Sequence, residues 1–343
     1  MAVIVAKFGG TSVADIERIE NAAGKIVKEV EAGNKVAVVV SAMSGVTNRL
    51  VGYCTEISPM HDVREYDTVV SSGEQITAGL MAMALQKRGI TARSWLGWQI
   101  PIKTNNVHGK ARIEDIDTAE INKRLEAGEV VVVPGFQGVT AQNRISTLGR
   151  GGSDTSAVAV AAALEADRCD IYTDVDGVYT ADPRIAPKAR KLNKISYEEM
   201  LELASLGSKV LQTRSVEMGA KSGVPIQVLS SFGEFIGSDR KGTLVTKEED
   251  IVEQELVSGI AHQKDESKIT VIGVEDVPGV AAKLFKPLAA AAINVDMIVQ
   301  NISQDGLTDM TFTVPRTDLE RAKKVLKDDV TLNYQDIAVN ENV

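Results

Sequence analysis

The chain has 343 residues, 44% of them hydrophobic and 25% charged, ordinary values for a globular protein of two or three domains. Its 38 Lys and Arg against 47 Asp and Glu give a formal charge of −9, which argues against a nucleic-acid or anionic-membrane binder. Two distant cysteines, Cys54 and Cys169, and three scattered histidines exclude a disulfide framework, a zinc ribbon and HExxH chemistry, so no protein-held metal site is expected. The start, Met1–Ala6, lacks the basic region of a signal peptide. No apolar run approaches the roughly 18 residues of a membrane helix. The expectation is a cytoplasmic protein with reduced thiols.

The apolar run Ala2–Ala6 before Gly9-Gly10 reads as a buried strand. Thr11, Ser12 and Asp15 offer caps for a helix with Ile16, Ile19, Ala23, Ile26, Val27 and Val30 on one stripe, and Gly33 is placed to end it. Val36–Val40 is a second buried strand, which completes a βαβ unit. The spacing then predicts a helix over Ser72–Arg88, a strand over Val130–Val133 and a helix over Ser153–Ala166. A strand at Asp170–Thr173, helices at Ser196–Lys209 and Ser215–Ser222, and a strand at Ile226–Leu229 follow. Residues 1–230 therefore read as an α/β domain with a mainly parallel sheet between helices. Residues 231–255, with three glycines and an acidic run, read as a connection. Beyond them the order βαββα over Lys268–Lys327 reads as a small ferredoxin-like α+β domain.

Glycine clusters fall just after predicted strands: KFGGTS at 7–12, SAMSG at 41–45, GFQG at 135–138 and GRGGSD at 149–154. Ligands of open parallel sheets bind at the carboxyl ends of strands. Glycines there let backbone N–H groups and helix N-termini approach an anion. One such turn is ordinary in an α/β domain. Four at successive strand ends, two carrying Lys7 or Arg150, favour a phosphate site. No P-loop, no GxGxxG after the first strand and no HRD or DFG set is present.

These motifs resemble the aspartokinases. KFGGTSV, SAMSG, SSGEQ at 71–75, GFQGV, TLGRGGSDTSA at 147–157 and YTDVDGVYTADPR at 172–184 occur in order over residues 1–230. LGRGGSDT points to the wider amino-acid kinase superfamily. The stretch 267–337, with VPG at 277–279 and INVDMIVQN at 293–301, resembles the first regulatory ACT domain of that family. The resemblance implies an amino-acid kinase fold followed by an ACT domain. It implies transfer of the γ-phosphoryl group of Mg-ATP to the β-carboxylate of L-aspartate, at the head of lysine, threonine and methionine synthesis.

By the same resemblance Lys7, Asp154 and Arg150 are catalytic. Ser41, Thr47, Glu74, Phe136, Ser153 and Arg150 bind aspartate, with Glu74 on the α-ammonium and Arg150 on a carboxylate. Lys7, Phe8, Gly9, Gly10, Thr173, Asp174, Tyr179, Asp182, Arg184 and Lys209 hold ATP. Asp276, Ala281, Asn294, Val295, Asp296 and Gln300 line an effector site for lysine, threonine or both, and the ACT domain joins copies into a homo-oligomer. Plain structural readings stand beside these. Lys7 could be a solvated strand end, Arg150 a surface charge, Glu74 a helix cap and Asp154 a first-turn acid. Asp174 and Asp182 could be turn formers, Lys209 a helix-end cation, and Asp276 and Asn294 could shape bends.

A carboxylate nucleophile is already ionised at neutral pH, so the chemistry calls for cations and positioning more than for a strong base. A chain poor in histidine, with lysine and arginine in glycine turns, suits that task. The family carries a second ACT repeat after the position of Val339, and its strand matching Leu256–Ala261 belongs with that repeat. The expectation is an orphan strand here. The alternatives are another amino-acid kinase, or a catalytically silent amino-acid-binding regulatory protein.

Overall fold

The computed structural model describes residues 1–149, 151–208, 210–251, 259–261, 265–291, 293–302, 306–328 and 333–340. Two compact units are present, Met1–Ala261 and His262–Val343.

The first unit begins with β1 (Val3–Phe8), α1 (Ile16–Glu31), β2 (Lys35–Val40), α2 (Val46–Ile57) and α3 (Val63–Lys87). Short strands β3 (Ala92–Ser94), β4 (Ile102–Thr104) and β5 (Ile113–Ile116) lead to α4 (Ala119–Glu126). Then come β6 (Val130–Pro134), β7 (Gln137–Thr140), β8 (Ile145–Thr147), α5 (Gly152–Ala163) and β9 (Arg168–Thr173). The unit continues through β10 (Lys194–Ser196), α6 (Tyr197–Ser205), α7 (Thr213–Ser222), β11 (Ile226–Ser230) and β12 (Thr243–Thr246).

Its described residues form an eight-stranded sheet in the order β10-β12-β11-β9-β1-β2-β6-β3. The run from β11 through β3 is parallel, and β12 lies antiparallel to β11. Strand period two divides the side chains between two apolar layers. Ala6, Phe8, Val38, Val40 and Val132 pack with Ile19, Ala23 and Ile26 of α1 and Ala78, Met81 and Leu85 of α3. Val5, Ala37, Val39, Val131 and Val133 pack with Ala157, Val158 and Ala161 of α5. Both faces are covered, so these strands are mostly apolar, with Lys7 near the carboxyl end of β1 as the exception in its interior. Truncating a fully buried side chain such as Phe8 to alanine would cost about 3–5 kcal/mol.

A smaller sheet, β5-β4-β7-β8, was not legible in the sequence. Its strands are three or four residues long, and β4 pairs with β7 across a gap of more than thirty residues. Helix α3 starts nine residues before the expected Ser72. Asp62 caps it by accepting from the Arg64 amide at 2.8 Å. Asp67, fully buried on its inner face, interrupts the apolar period there. The stretch 231–255 is more than a connection, because β12 pairs with both β10 and β11. Ile260 N donates to Thr180 O at 2.7 Å, and Ala261 packs on the core of this unit. Residues 256–258 of the expected orphan strand lie outside the described residues, and 259–261 are not in a strand.

A buried polar cluster sits under the sheet. Arg168 Nε donates to Asp170 Oδ1 at 2.5 Å, and its Nη2 lies 3.8 Å from Glu29 Oε1. Glu29 also accepts from Ser238 and Asn34. Burial raises the Asp170 carboxyl to about 6 despite the arginine.

The second unit comprises β13 (Glu266–Glu275), α8 (Val280–Ala290), β14 (Ile298–Ile302), β15 (Leu307–Pro315), α9 (Leu319–Asp328) and β16 (Asp336–Asn340). Its antiparallel sheet has the order β14-β15-β13-β16. Ile269, Val271, Phe312 and Val314 pack against Leu284 and Leu288 of α8 and Ala322 and Leu326 of α9. The expected βαββα order is present, with β16 added.

Candidate active site

The strand order places β9, β1, β2 and β6 side by side. Phe8 registers with Val40 and with Tyr172, and Val40 with Pro134. The carboxyl ends of the four strands therefore emerge along one edge, and the glycine turns after β1, β2 and β6 converge there. Ser41 N donates to Phe8 O at 3.0 Å, Gly135 N to Val40 O at 2.9 Å and Gly9 N to Tyr172 O at 3.2 Å.

Lys7 shares a strand face with Val5, the face covered by α5. Its Nζ accordingly meets Asp154 in the first turn of α5, 2.5 Å from Oδ1. Asp154 Oδ1 is buried and engaged in no directed hydrogen bond, so the contact is an ion pair made off the hydrogen-bonding direction. That oxygen keeps acceptor capacity for another donor.

Glu74 comes from the opposite layer, on α3. It is 3% exposed. Its Oε1 accepts from Ala42 N at 3.2 Å, and its buried Oε2 has no protein partner. Burial pushes its carboxyl up to about 7, against the lowering effect of backbone N–H donors. A Cβ on Gly10 would lie 3.0 Å from Ala42 O, so the first two glycine turns touch beside this carboxylate. An unpartnered buried acid beside clustered backbone amides can receive a ligand ammonium.

Phe136 adopts φ 68°, an uncommon backbone state for a bulky residue that costs about 1–3 kcal/mol. Its N donates to Ser156 Oγ at 3.0 Å and its carbonyl accepts from Leu148 N at 2.9 Å. This conformation seats the turn after β6 on α5. A Cβ on Gly135 would fall 2.9 Å from Ser153 Cβ. Gly151, at φ +70°, is where a Cβ would fall 1.9 Å from Gln212, so this turn requires glycine.

Thus Lys7, Gly9, Gly10, Ser41, Glu74, Phe136, Ser153 and Asp154 are gathered at one edge. Thr47 lies half-buried in the first turn of α2. The Phe8 ring is buried against Tyr172, stacked at 4.7 Å, so only its backbone is available to the turn. Thr173 ends β9 and bonds the adjacent Asp174 at 3.1 Å. Tyr179 donates to Asp176 at 2.9 Å. Asp182 and Arg184 pair with each other at 2.8 Å on the loop that follows. Arg150 and Lys209 lie outside the described residues.

Three further residues shape the edge. Arg214 donates to Leu148 O at 2.7 Å and to Ala111 O at 3.1 Å, bracing the strand of chain before Gly149. Ser231 N and Oγ both donate to Thr173 O, at 2.8 and 2.9 Å. Gln137 donates to Ser71 O and accepts from Gln75. Nothing in the spacing of Arg214 or Ser231 marks them, because their partners are distant in sequence. Gln137 stands within the GFQG turn.

In the second unit Gln300 Nε2 lies 3.4 Å from Asp276 Oδ1, which brings two of the expected effector residues together. Asn294 and Asp296 are exposed in the segment before β14. Val295 packs on the core, and Ala281 is half-buried in the first turn of α8.

The amino acid kinase family profile matches residues 2–230, and an ACT domain profile matches 269–330. An aspartokinase of Pseudomonas aeruginosa is 57% identical over 329 residues, covering 95% of this chain and 79% of its own length. The crystal structure of an aspartate kinase from Synechocystis is 40% identical with a TM-score of 0.66. It covers 99% of this chain, and this chain spans only 58% of it. E. coli aspartokinase III, solved in complex with lysine and aspartate in a T-state, is 26% identical with a TM-score of 0.80. The match covers 98% of this chain and 85% of that one.

Proposed function

This chain belongs to the aspartokinases of the amino acid kinase family, and from that premise we propose that it transfers the γ-phosphoryl group of ATP to the β-carboxylate of L-aspartate, giving 4-phospho-L-aspartate. The observation that carries the reading is the buried Lys7–Asp154 pair at the edge where the glycine turns meet, together with the orphan oxygen of Glu74 at the turn after β2.

In this reading a β-carboxylate oxygen attacks the γ-phosphorus and a new P–O bond forms. The bond from that phosphorus to the β–γ bridging oxygen breaks, and its electron pair leaves with ADP. Two anions must meet, so the protein's task is charge stabilisation and alignment. Lys7 is assigned to the transferring phosphoryl group, with the amides of Gly9 and Gly10. Asp154 orients the Lys7 ammonium rather than taking a proton, since the nucleophile is already ionised. Glu74 is assigned to the α-ammonium of aspartate. Ser41, Thr47, Phe136 and Ser153 line the aspartate pocket, and Arg150 meets a carboxylate. Phe8, Thr173, Asp174, Tyr179, Asp182, Arg184 and Lys209 are assigned to the nucleotide.

Mg²⁺ is assigned to the phosphates of ATP, where it neutralises charge. In that role it needs few direct protein ligands. The second unit is assigned an amino-acid effector, lysine or threonine or both, near Asp276 and Gln300. Assembly of copies through this unit is favoured by its edge strand β14, where Ile298 and Val299 are 51% and 43% exposed, with Met297 just before it 65% exposed. The product would feed lysine, threonine and methionine synthesis.

The test is ADP release from Mg-ATP with L-aspartate, trapping the acyl phosphate with hydroxylamine and using L-glutamate as control. Aspartate-dependent hydroxamate is expected. Folded protein that makes none, or that makes as much with glutamate, overturns the reading.

A further inference from the structure

We propose that Asp67 is a positioning residue that sets the span of the aspartate pocket, by clamping the helix that carries Glu74 to the glycine loop that leads into Ser153 and Asp154 at the start of α5. The inference rests on the assignment of Glu74 and that loop to aspartate.

Asp67 is fully buried, seven residues before Glu74 on the same inner face of α3. A buried carboxylate is tolerated only when its oxygens are satisfied. Here four hydrogen bonds converge on it from two other segments. Thr147 Oγ1 donates to Oδ1 at 2.5 Å, and Gly109 N lies 3.1 Å from both oxygens. His108 Nδ1 lies 2.7 Å from Oδ2, and since a carboxylate only accepts, the ring donates there.

These donors lead to the site. Thr147 ends β8 and immediately precedes Leu148-Gly149. A Cβ on Gly149, at φ +79°, would lie 3.3 Å from Gly109 O, so the glycine loop rests on the segment that Asp67 holds. A second tie runs parallel: Gln137, one residue after Phe136, donates to Ser71 O at 3.1 Å. The first half of α3 is thereby fastened to the turn after β6 and to the chain that enters the 149–152 turn. Aspartate differs from glutamate by one methylene, and only a pocket of fixed span can use that difference.

The experiment measures KM for aspartate, KM for ATP and kcat in the full chain, by hydroxamate and ADP release, with circular dichroism to confirm folding. The variants are Asp67→Asn and Thr147→Val, with Thr147→Ser as the conservative control. The amide of Asp67→Asn keeps one acceptor oxygen, so the clamp is left partly made. The expected result is a rise of roughly tenfold or more in KM for aspartate. KM for ATP stays within about twofold, and the preference for aspartate over glutamate falls. Thr147→Val moves the same way by a smaller factor, and Thr147→Ser restores the wild-type value. If Asp67→Asn does not fold, Thr147→Val decides. Equal changes in both KM values, a loss of melting temperature alone, or no change in KM for aspartate in a folded variant overturns the proposal. Wild-type protein without aspartate-dependent turnover would instead refute the functional assignment itself.

Discussion

Lys7 Nζ stands 2.5 Å from Asp154 Oδ1, their side chains 9% and 12% exposed. The two residues are 147 positions apart in sequence. They meet because alternate side chains of β1 face α5, and α5 begins at the strand edge. A cation placed there is desolvated, which strengthens its hold on developing charge.

Lys7→Ala is therefore expected to lower kcat by about 10²–10³-fold while circular dichroism keeps the native spectrum. Steady-state ADP release checks it. A kcat within about tenfold of wild type would remove Lys7 from the transfer step.

Glu74 gives a pH signature. Burial raises its carboxyl from the ordinary 4.5 to about 7. The ligand-free fold thus favours the neutral acid. That contribution to stability is complete below the unfolded value near 4.5 and is lost as pH rises through about 7. An ammonium ligand needs the ionised form, so aspartate binding should tighten over the same rise. KM for aspartate is expected to fall between pH 6 and 8 in the wild type. In Glu74→Gln it should be higher and flat. Parallel pH profiles in the two proteins would contradict the assignment.

Arg168 is the cation between the buried Asp170 and Glu29, whose relative exposures are 0% and 1%. Arg168→Met leaves buried carboxylates without it. A loss of about 3–5 kcal/mol is expected in urea unfolding. A loss below about 1 kcal/mol would mean that Ser238 and Asn34 suffice for Glu29 and that Asp170 is neutral.

The long buried strands and amphipathic helices were legible because each carries its own period. VIVA, VAVVV and VVVV announce strands covered on both faces, and the stripe of α1 announces its partner layer. The sheet β5-β4-β7-β8 was not legible, since strands of three or four residues hold too few alternations to signal. The early part of α3 was hidden by Asp67, a buried acid at a position where the helical period calls for an apolar residue. The strand β12 was hidden among glycines, and only its pairing with β10 and β11 makes it one.

Local composition alone determined the two-part organisation in broad outline, the glycine turns after β1, β2 and β6, and the residue types able to handle phosphate. Those properties depend on neighbours a few positions apart. Tertiary structure decided which turns share an edge, that Lys7 meets Asp154, and that Glu74 is buried with one oxygen unpartnered. It also decided that Asp67 is satisfied by His108, Gly109 and Thr147. These depend on strand order and on which helix covers which face, relations between residues tens to more than a hundred positions apart, which local periodicity does not encode.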